Sequence, residues 1–207
     1  RSIHWRNEGF DVQGWLTGPA TIEPGKKYPM IVMVHGGPSS AVQPGYMWKG
    51  TTNDLVQHGF FVFQPNPRGS FGQGEAFTRA NVKDFGGGDL RDIMAGVDAV
   101  EKVAPVDDRR LGVYGHSYGG FMSMWVVTHT QRFKAAVAGA GVANWVSYYG
   151  QNGIDQWMVP FFGGTAYEHP AVHDRLPPTR TLQATQPPTP HSGAQAAVEH
   201  PPAPRGR

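Results

Sequence analysis

The sequence predicts an α/β fold: a mostly parallel sheet with helices on both faces. Three observations point there. Short apolar runs of strand length recur, glycine-rich turns follow them, and segments of helical period alternate with them. With 207 residues, 39% hydrophobic and 12% aromatic, the chain is long enough to bury one sizeable core.

Residues 10–16 alternate apolar and polar and predict an edge strand. Residues 30–35 (MIVMVH) form a continuous apolar run, the pattern of a strand buried on both faces. Residues 60–63 predict a further strand. The triplet Gly86-Gly87-Gly88 lacks phosphate-loop spacing and a following lysine, so it reads as a hinge before a helix. Asp89 is placed to cap that helix, and Leu90, Ile93, Met94, Val97, Val100 and Val103 then recur at helical spacing. Residues 110–115 predict a buried strand, 121–127 an apolar helix, and 135–138 another strand. Strand and helix in this alternation imply right-handed crossovers and a sheet covered on both sides.

Composition narrows the function. The net charge of +2 gives no reason to expect a nucleic-acid or anionic-membrane partner. No apolar run approaches the roughly 18 residues that a membrane-spanning helix needs. The absence of cysteine removes thiolate nucleophiles, thiolate metal sites and disulfides, and fits a cytoplasmic protein without demanding one. No metal or cofactor is expected.

The chemistry-bearing motif is Gly115-His116-Ser117-Tyr118-Gly119, a G-x-S-x-G pentapeptide set between a predicted strand and a predicted helix. That context is the nucleophile elbow of an α/β-hydrolase fold. Glycines flank the serine because the turn is tight and its backbone strained. Upstream, His35-Gly36-Gly37-Pro38 follows its own strand. Side-chain-free amides there suit a developing oxyanion, with the N–H of Tyr118 as a second donor. His35 is expected to hold this loop by packing and hydrogen bonding. His116 lies too close to its neighbour to act as a base. Arg68, in Asn66-Pro67-Arg68-Gly69-Ser70, is expected to pin its loop through carboxylate or carbonyl contacts.

These stretches, with Gly72, Gly74 and 92–97, occur in the order and at the spacing of the prolyl oligopeptidase family of serine peptidases, which the chain resembles over about residues 2–174. The resemblance is to its acylaminoacyl-peptidase and dipeptidyl-peptidase-like branches. It implies an α/β-hydrolase catalytic domain that hydrolyses short peptides through an acyl-enzyme on Ser117, with Tyr118 and Gly37 amides as the oxyanion hole. It implies a β-propeller domain upstream in the full-length protein. It also makes Tyr148, Tyr149, Trp157, Phe161 and Phe162 candidates to line the substrate pocket. Two other functions remain open: an esterase on the same fold, or an inactive hydrolase-like module that binds partners.

The family's acid and histidine are not recognisable. Asp155 and Asp174 are the downstream aspartates; His129, His169, His173, His191 and His200 are the downstream histidines. Residues 176–207 carry eight of the 18 prolines and no Phe, Tyr or Trp, so disorder is expected there. The organisation expected is therefore a partial catalytic domain over 1–175, with the sheet incomplete at its C-terminal end. A Pro-rich tail over 176–207 follows, with the look of an out-of-frame continuation.

Overall fold

The computed structural model describes residues 1–45, 50–174, 178 and the backbone of 197–199. One seven-stranded sheet organises them in the order β1-β2-β4-β3-β5-β6-β7. The strands are β1 (Ser2–Asn7), β2 (Phe10–Thr17), β3 (Tyr28–Val34), β4 (Phe61–Asn66), β5 (Val106–His116), β6 (Phe133–Gly139) and β7 (Ala197–Glu199). β1 and β2 pair antiparallel, as do β2 and β4; every other pairing is parallel.

The expected edge strand is not the edge. β1 lies outside it, joined by a two-residue turn in which Glu8 and Gly9 both have positive φ (47° and 88°). Such a turn matches the strands' right-handed twist and makes a tight hairpin. Asn7 faces Phe10 across it.

Helices α1 (Thr51–Gln57), α2 (Glu75–Arg79), α3 (Gly88–Glu101) and α4 (Tyr118–His129) connect the strands. Met30, Val32 and Val34 alternate along β3 and join one core with Phe61, Phe63, Ile93, Val97, Val100 and Phe121. α3 and α4 cover this face. Ile31 and Met33 point the other way, toward the side where the Thr52 hydroxyl of α1 meets the Met33 sulfur. Among the described residues that second face is only half covered, so β3 is not buried equally on both sides as its apolar run suggested.

Two details of α3 differ from expectation. Asp89 is not its cap: Gly87 holds that position, and the carboxylate of Asp84 accepts from the Gly88 N–H at 2.8 Å. Nor is the glycine triplet a free hinge. A side chain at Gly88 would run into the Arg68 guanidinium, and one at Gly86 into the Trp125 indole, whose N–H donates to the Gly86 carbonyl at 2.8 Å. Val103 falls beyond the helix and is exposed.

After β6 come α5 (Trp145–Gln151), a short 3-10 turn (Asp155–Trp157), α6 (Met158–Phe162) and α7 (Pro170–Asp174). The tail expected to be disordered lies mostly outside the described residues. Its described part includes β7, three residues paired parallel with β6.

Candidate active site

Ser117 occupies the single residue between β5 and α4. Its φ is 59° and its ψ −120°. A non-glycine residue held there costs of order 1–3 kcal/mol and persists only where its surroundings fix it. They do. The Ser117 N–H donates to the Gly139 carbonyl at 2.9 Å, and the Phe121 N–H donates to the Ser117 carbonyl at 3.0 Å. A Cβ at Gly119 would collide with the Val34 carbonyl, so only glycine lets α4 start this close to β3. The side chain of Ser117 is exposed, and among the described residues its Oγ has no hydrogen-bond partner.

The 35–38 loop stands beside it. A Cβ built on Gly36 would lie 3.3 Å from Ser117 Cβ and 3.9 Å from its Oγ. Gly37 is exposed, with φ at +131°. His35 fastens the loop as expected: its Nδ1–H donates to the Gly36 carbonyl at 2.7 Å, and its Nε2 accepts from the Ser70 hydroxyl at 2.9 Å. Burial pushes the His35 pKa below its ordinary value, which keeps the ring neutral and lets Nε2 accept. Further on, the Phe71 N–H donates to the Ser40 carbonyl, tying the 66–72 segment to the same loop.

Arg68 is a brace. Only 6% exposed, it grips the fully buried Asp92 through Nε at 2.9 Å and a terminal nitrogen at 2.7 Å. Its backbone N–H donates to the same carboxylate at 2.9 Å, and its other terminal nitrogen meets Glu8 at 2.9 Å. Asn7 completes Asp92 at 2.7 Å. The β1–β2 turn, the 66–72 segment and α3 are thereby locked together.

Tyr118 opens α4. Its ring is buried against Phe85, Phe121 and Trp145 at centroid distances of 4.9, 5.3 and 6.5 Å. Its hydroxyl donates to Asp89 Oδ2 in a short hydrogen bond. Asp89 is 1% exposed, and among the described residues no cation pairs with it. Burial raises its pKa to about 6, against the hydrogen bonds from Tyr118 and Leu90 that favour the carboxylate. Sequence reasoning missed the roles of Asp89, Asp92 and Ser70.

The five candidate pocket residues divide. Trp157, Phe161 and Phe162 ring Phe85 at 6.4, 5.4 and 5.2 Å, and Tyr148 joins through Trp145 at 6.0 Å. Phe85 in turn touches Tyr118, so this cluster is continuous with the elbow. Phe162 is wholly buried; the other three are half-buried. Tyr149 packs against Tyr167 and His173, and His173 stacks on Phe162 at 4.3 Å.

None of the described candidate acids or bases hydrogen-bonds Ser117. His129 lies at the far end of α4, roughly 16 Å along the helix by its rise per residue, with its ring stacked on Trp125 at 4.1 Å. His173 is buried, with Nδ1 donating to the His169 carbonyl at 3.1 Å. Asp155 belongs to the 3-10 turn, Asp174 ends α7, and His169 is exposed. His191 and His200 fall outside the described residues. Among the described residues no cluster of His, Asp and Glu could hold a metal ion, and no helix is long and apolar enough to cross a membrane.

A sequence profile described as the prolyl oligopeptidase family matches residues 48–191. A Bacillus subtilis protein named uncharacterized peptidase YuxL is 40% identical over 168 residues, covering 81% of this chain and 25% of its own. Dipeptidyl-peptidase 5 of Schizosaccharomyces pombe is 30% identical over 174 residues, 83% of this chain and 26% of its own. Among solved structures, the Pyrococcus horikoshii acylaminoacyl peptidase superposes with a TM-score of 0.82 at 27% identity, covering 96% of this chain and 31% of that one. The chain thus spans a quarter to a third of the length of these proteins.

Proposed function

The chain belongs to the prolyl oligopeptidase family and has the α/β-hydrolase fold, and on that premise we propose that it carries the nucleophile and oxyanion hole of a serine peptidase acting on short peptides. The observation that supports this most is the exposed Ser117, strained at the β5–α4 turn with Gly36 against its Oγ.

The chemistry follows from the positions. Ser117 Oγ attacks the scissile carbonyl carbon. The carbonyl oxygen gains charge and needs donors already in place. Tyr118, first in its helix, has an N–H with no intrahelical acceptor, and the glycine at 37 offers another amide without a side chain in the way. The amine leaves with a proton, and water later releases the acyl group from Ser117. Nucleophile and oxyanion donors are assigned here; the proton acceptor is not among the described residues bonded to Ser117. The half-buried rings of Tyr148, Trp157 and Phe161 offer an apolar wall for the substrate side chain. A β-propeller upstream in the full-length protein belongs to the same proposal, and the short share of each relative that the chain covers leaves room for it.

A fluorophosphonate probe tests the assignment. Wild type should be labelled at Ser117 and Ser117→Ala should not, with loss of acyl-peptide anilide cleavage in parallel. Labelling no faster than in Ser117→Ala would sink the hydrolase reading.

A further inference from the structure

We propose that Asp89 is a positioning residue for the oxyanion donor at Tyr118, acting through the buried Tyr118 hydroxyl; this rests on the hydrolase reading above.

The first turn of α4 has little to hold it by its side chains. Gly119 and Gly120 have none, and both are required to be glycine by contacts with the Val34 and Gly139 carbonyls. Ser117 faces solvent. Tyr118 is therefore the only side chain between Ser117 and Phe121 that reaches into the protein. The peptide plane that carries its N–H is tied at one end, where the Ser117 carbonyl accepts from the Phe121 N–H; an anchored ring adds a second constraint on the direction in which that N–H points.

Packing against Phe85, Phe121 and Trp145 holds the faces of the ring. The bond to Asp89, with Gly86 and Asn81 also beside the hydroxyl, ties the tip of the ring to the first turn of another helix. Asp89 is in turn oriented by the Leu90 N–H, which donates to its Oδ1 at 2.8 Å. The connection is thus α3 backbone, Asp89 carboxylate, Tyr118 hydroxyl, Tyr118 N–H.

The arrangement is expensive as a packing solution. A buried acid without a cation destabilises a fold, and a hydrogen-bonded polar pair can be replaced by apolar groups of the same shape at little loss. What an apolar pair lacks is direction. Misplacing a reacting or stabilising group by about 1 Å can lower a rate by up to roughly a hundredfold, so direction is worth having one residue from the nucleophile.

Tyr118→Phe, Asp89→Asn and Asp89→Leu separate position from packing. The readout is fluorophosphonate labelling of the full chain, resolved into the limiting rate and the half-saturating concentration, with the melting temperature measured alongside. Tyr118→Phe keeps the ring and should slow the limiting rate about tenfold without changing half-saturation. Asp89→Leu should match it. Asp89→Asn keeps an acceptor for the hydroxyl and should recover most of the rate. If Asp89→Leu does not fold, the Tyr118→Phe and Asp89→Asn pair decides alone. A Tyr118→Phe rate equal to wild type overturns the proposal, as does an Asp89→Asn loss as large as that of Tyr118→Phe. Wild type indistinguishable from Ser117→Ala removes the hydrolase reading and the positioning role together.

Discussion

Asp92 and Asp89 lie one turn apart on α3, both shut away from water, and their surroundings are opposite. Asp92 meets a guanidinium, an amide side chain and a backbone N–H. Asp89 meets a phenol and the backbone at Leu90 and Gly86, with no cation among the described residues. Burial alone therefore says nothing about what a carboxylate does. Asp92 joins three chain segments and acts as a brace. Asp89 hydrogen-bonds the side chain of the residue after Ser117. A charge fully compensated on all sides has been fitted for strength. One left uncompensated beside a candidate catalytic amide points to a different demand.

The comparison breaks most visibly at Arg68. Arg68→Met leaves Asp92 buried and without its cation, and removing one partner of a buried pair typically destabilises by about 3–5 kcal/mol. Urea unfolding should show a loss of that order. Adding Asp92→Leu removes the stranded charge, so the double variant should be more stable than Arg68→Met alone. A double variant worse than the single would mean that Asp92 serves the fold through Asn7 and the Arg68 N–H more than through the ion pair.

Asp89 should make the stability of the fold depend on pH. Its pKa is raised by burial to about 6 from an ordinary value of 3.8. A carboxyl whose folded pKa is raised holds its proton more tightly in the native state. Its contribution is therefore complete below pH 3.8 and is lost as the pH climbs toward 6, flat beyond that. At roughly 1.4 kcal/mol per pKa unit, the loss is about 3 kcal/mol. Asp89→Asn does not titrate. Its stability relative to wild type should rise by about that amount between pH 4 and pH 7. Paired urea titrations at the two pH values measure it. A constant difference would show that the carboxylate is better solvated than its burial implies.

The contrast between the acids also shows what the sequence could carry. The elbow was legible because its constraints are local: Gly115, Gly119 and the apolar strand lie within a few residues of Ser117. The parallel sheet was legible from apolar runs. β1 was not read, although Ile3 and Trp5 alternate with His4 and Arg6, because Glu-Gly is a weaker turn signal than Asn-Gly or Asp-Gly. By local pattern Asp89 reads as a helix cap. What draws it inward is Tyr118, 29 residues later, and no local pattern records that partnership. The capping role passed to Asp84, whose carboxylate reaches the Gly88 N–H four residues on. Arg68 could be read as a loop pin, but Asp92 as its partner could not, since the two meet only when α3 packs beside β4. The candidate pocket rings were readable as an aromatic segment; which of them face inward depends on Phe85, which lies outside that segment.

Ser70 offers the smallest and most local test. It sits where the Arg68 brace meets the 35–38 loop, with its hydroxyl donating to His35 Nε2 while His35 Nδ1–H holds the Gly36 carbonyl. Ser70→Ala removes the donor and leaves a half-buried ring nitrogen unpaired. The stability loss should be about 1 kcal/mol, the usual scale for one such hydrogen bond. The effect on labelling should exceed what that loss implies, because a loosened His35 no longer fixes the Gly36-Gly37 backbone against Ser117. Ser70→Thr keeps the hydroxyl and serves as the control. If Ser70→Ala folds and reacts like wild type, the loop is held by its own turn, in which the Ser40 N–H donates to the Pro38 carbonyl at 2.8 Å. The brace through Arg68 and Asp92 would then end at Ser70, supporting the fold without reaching the site.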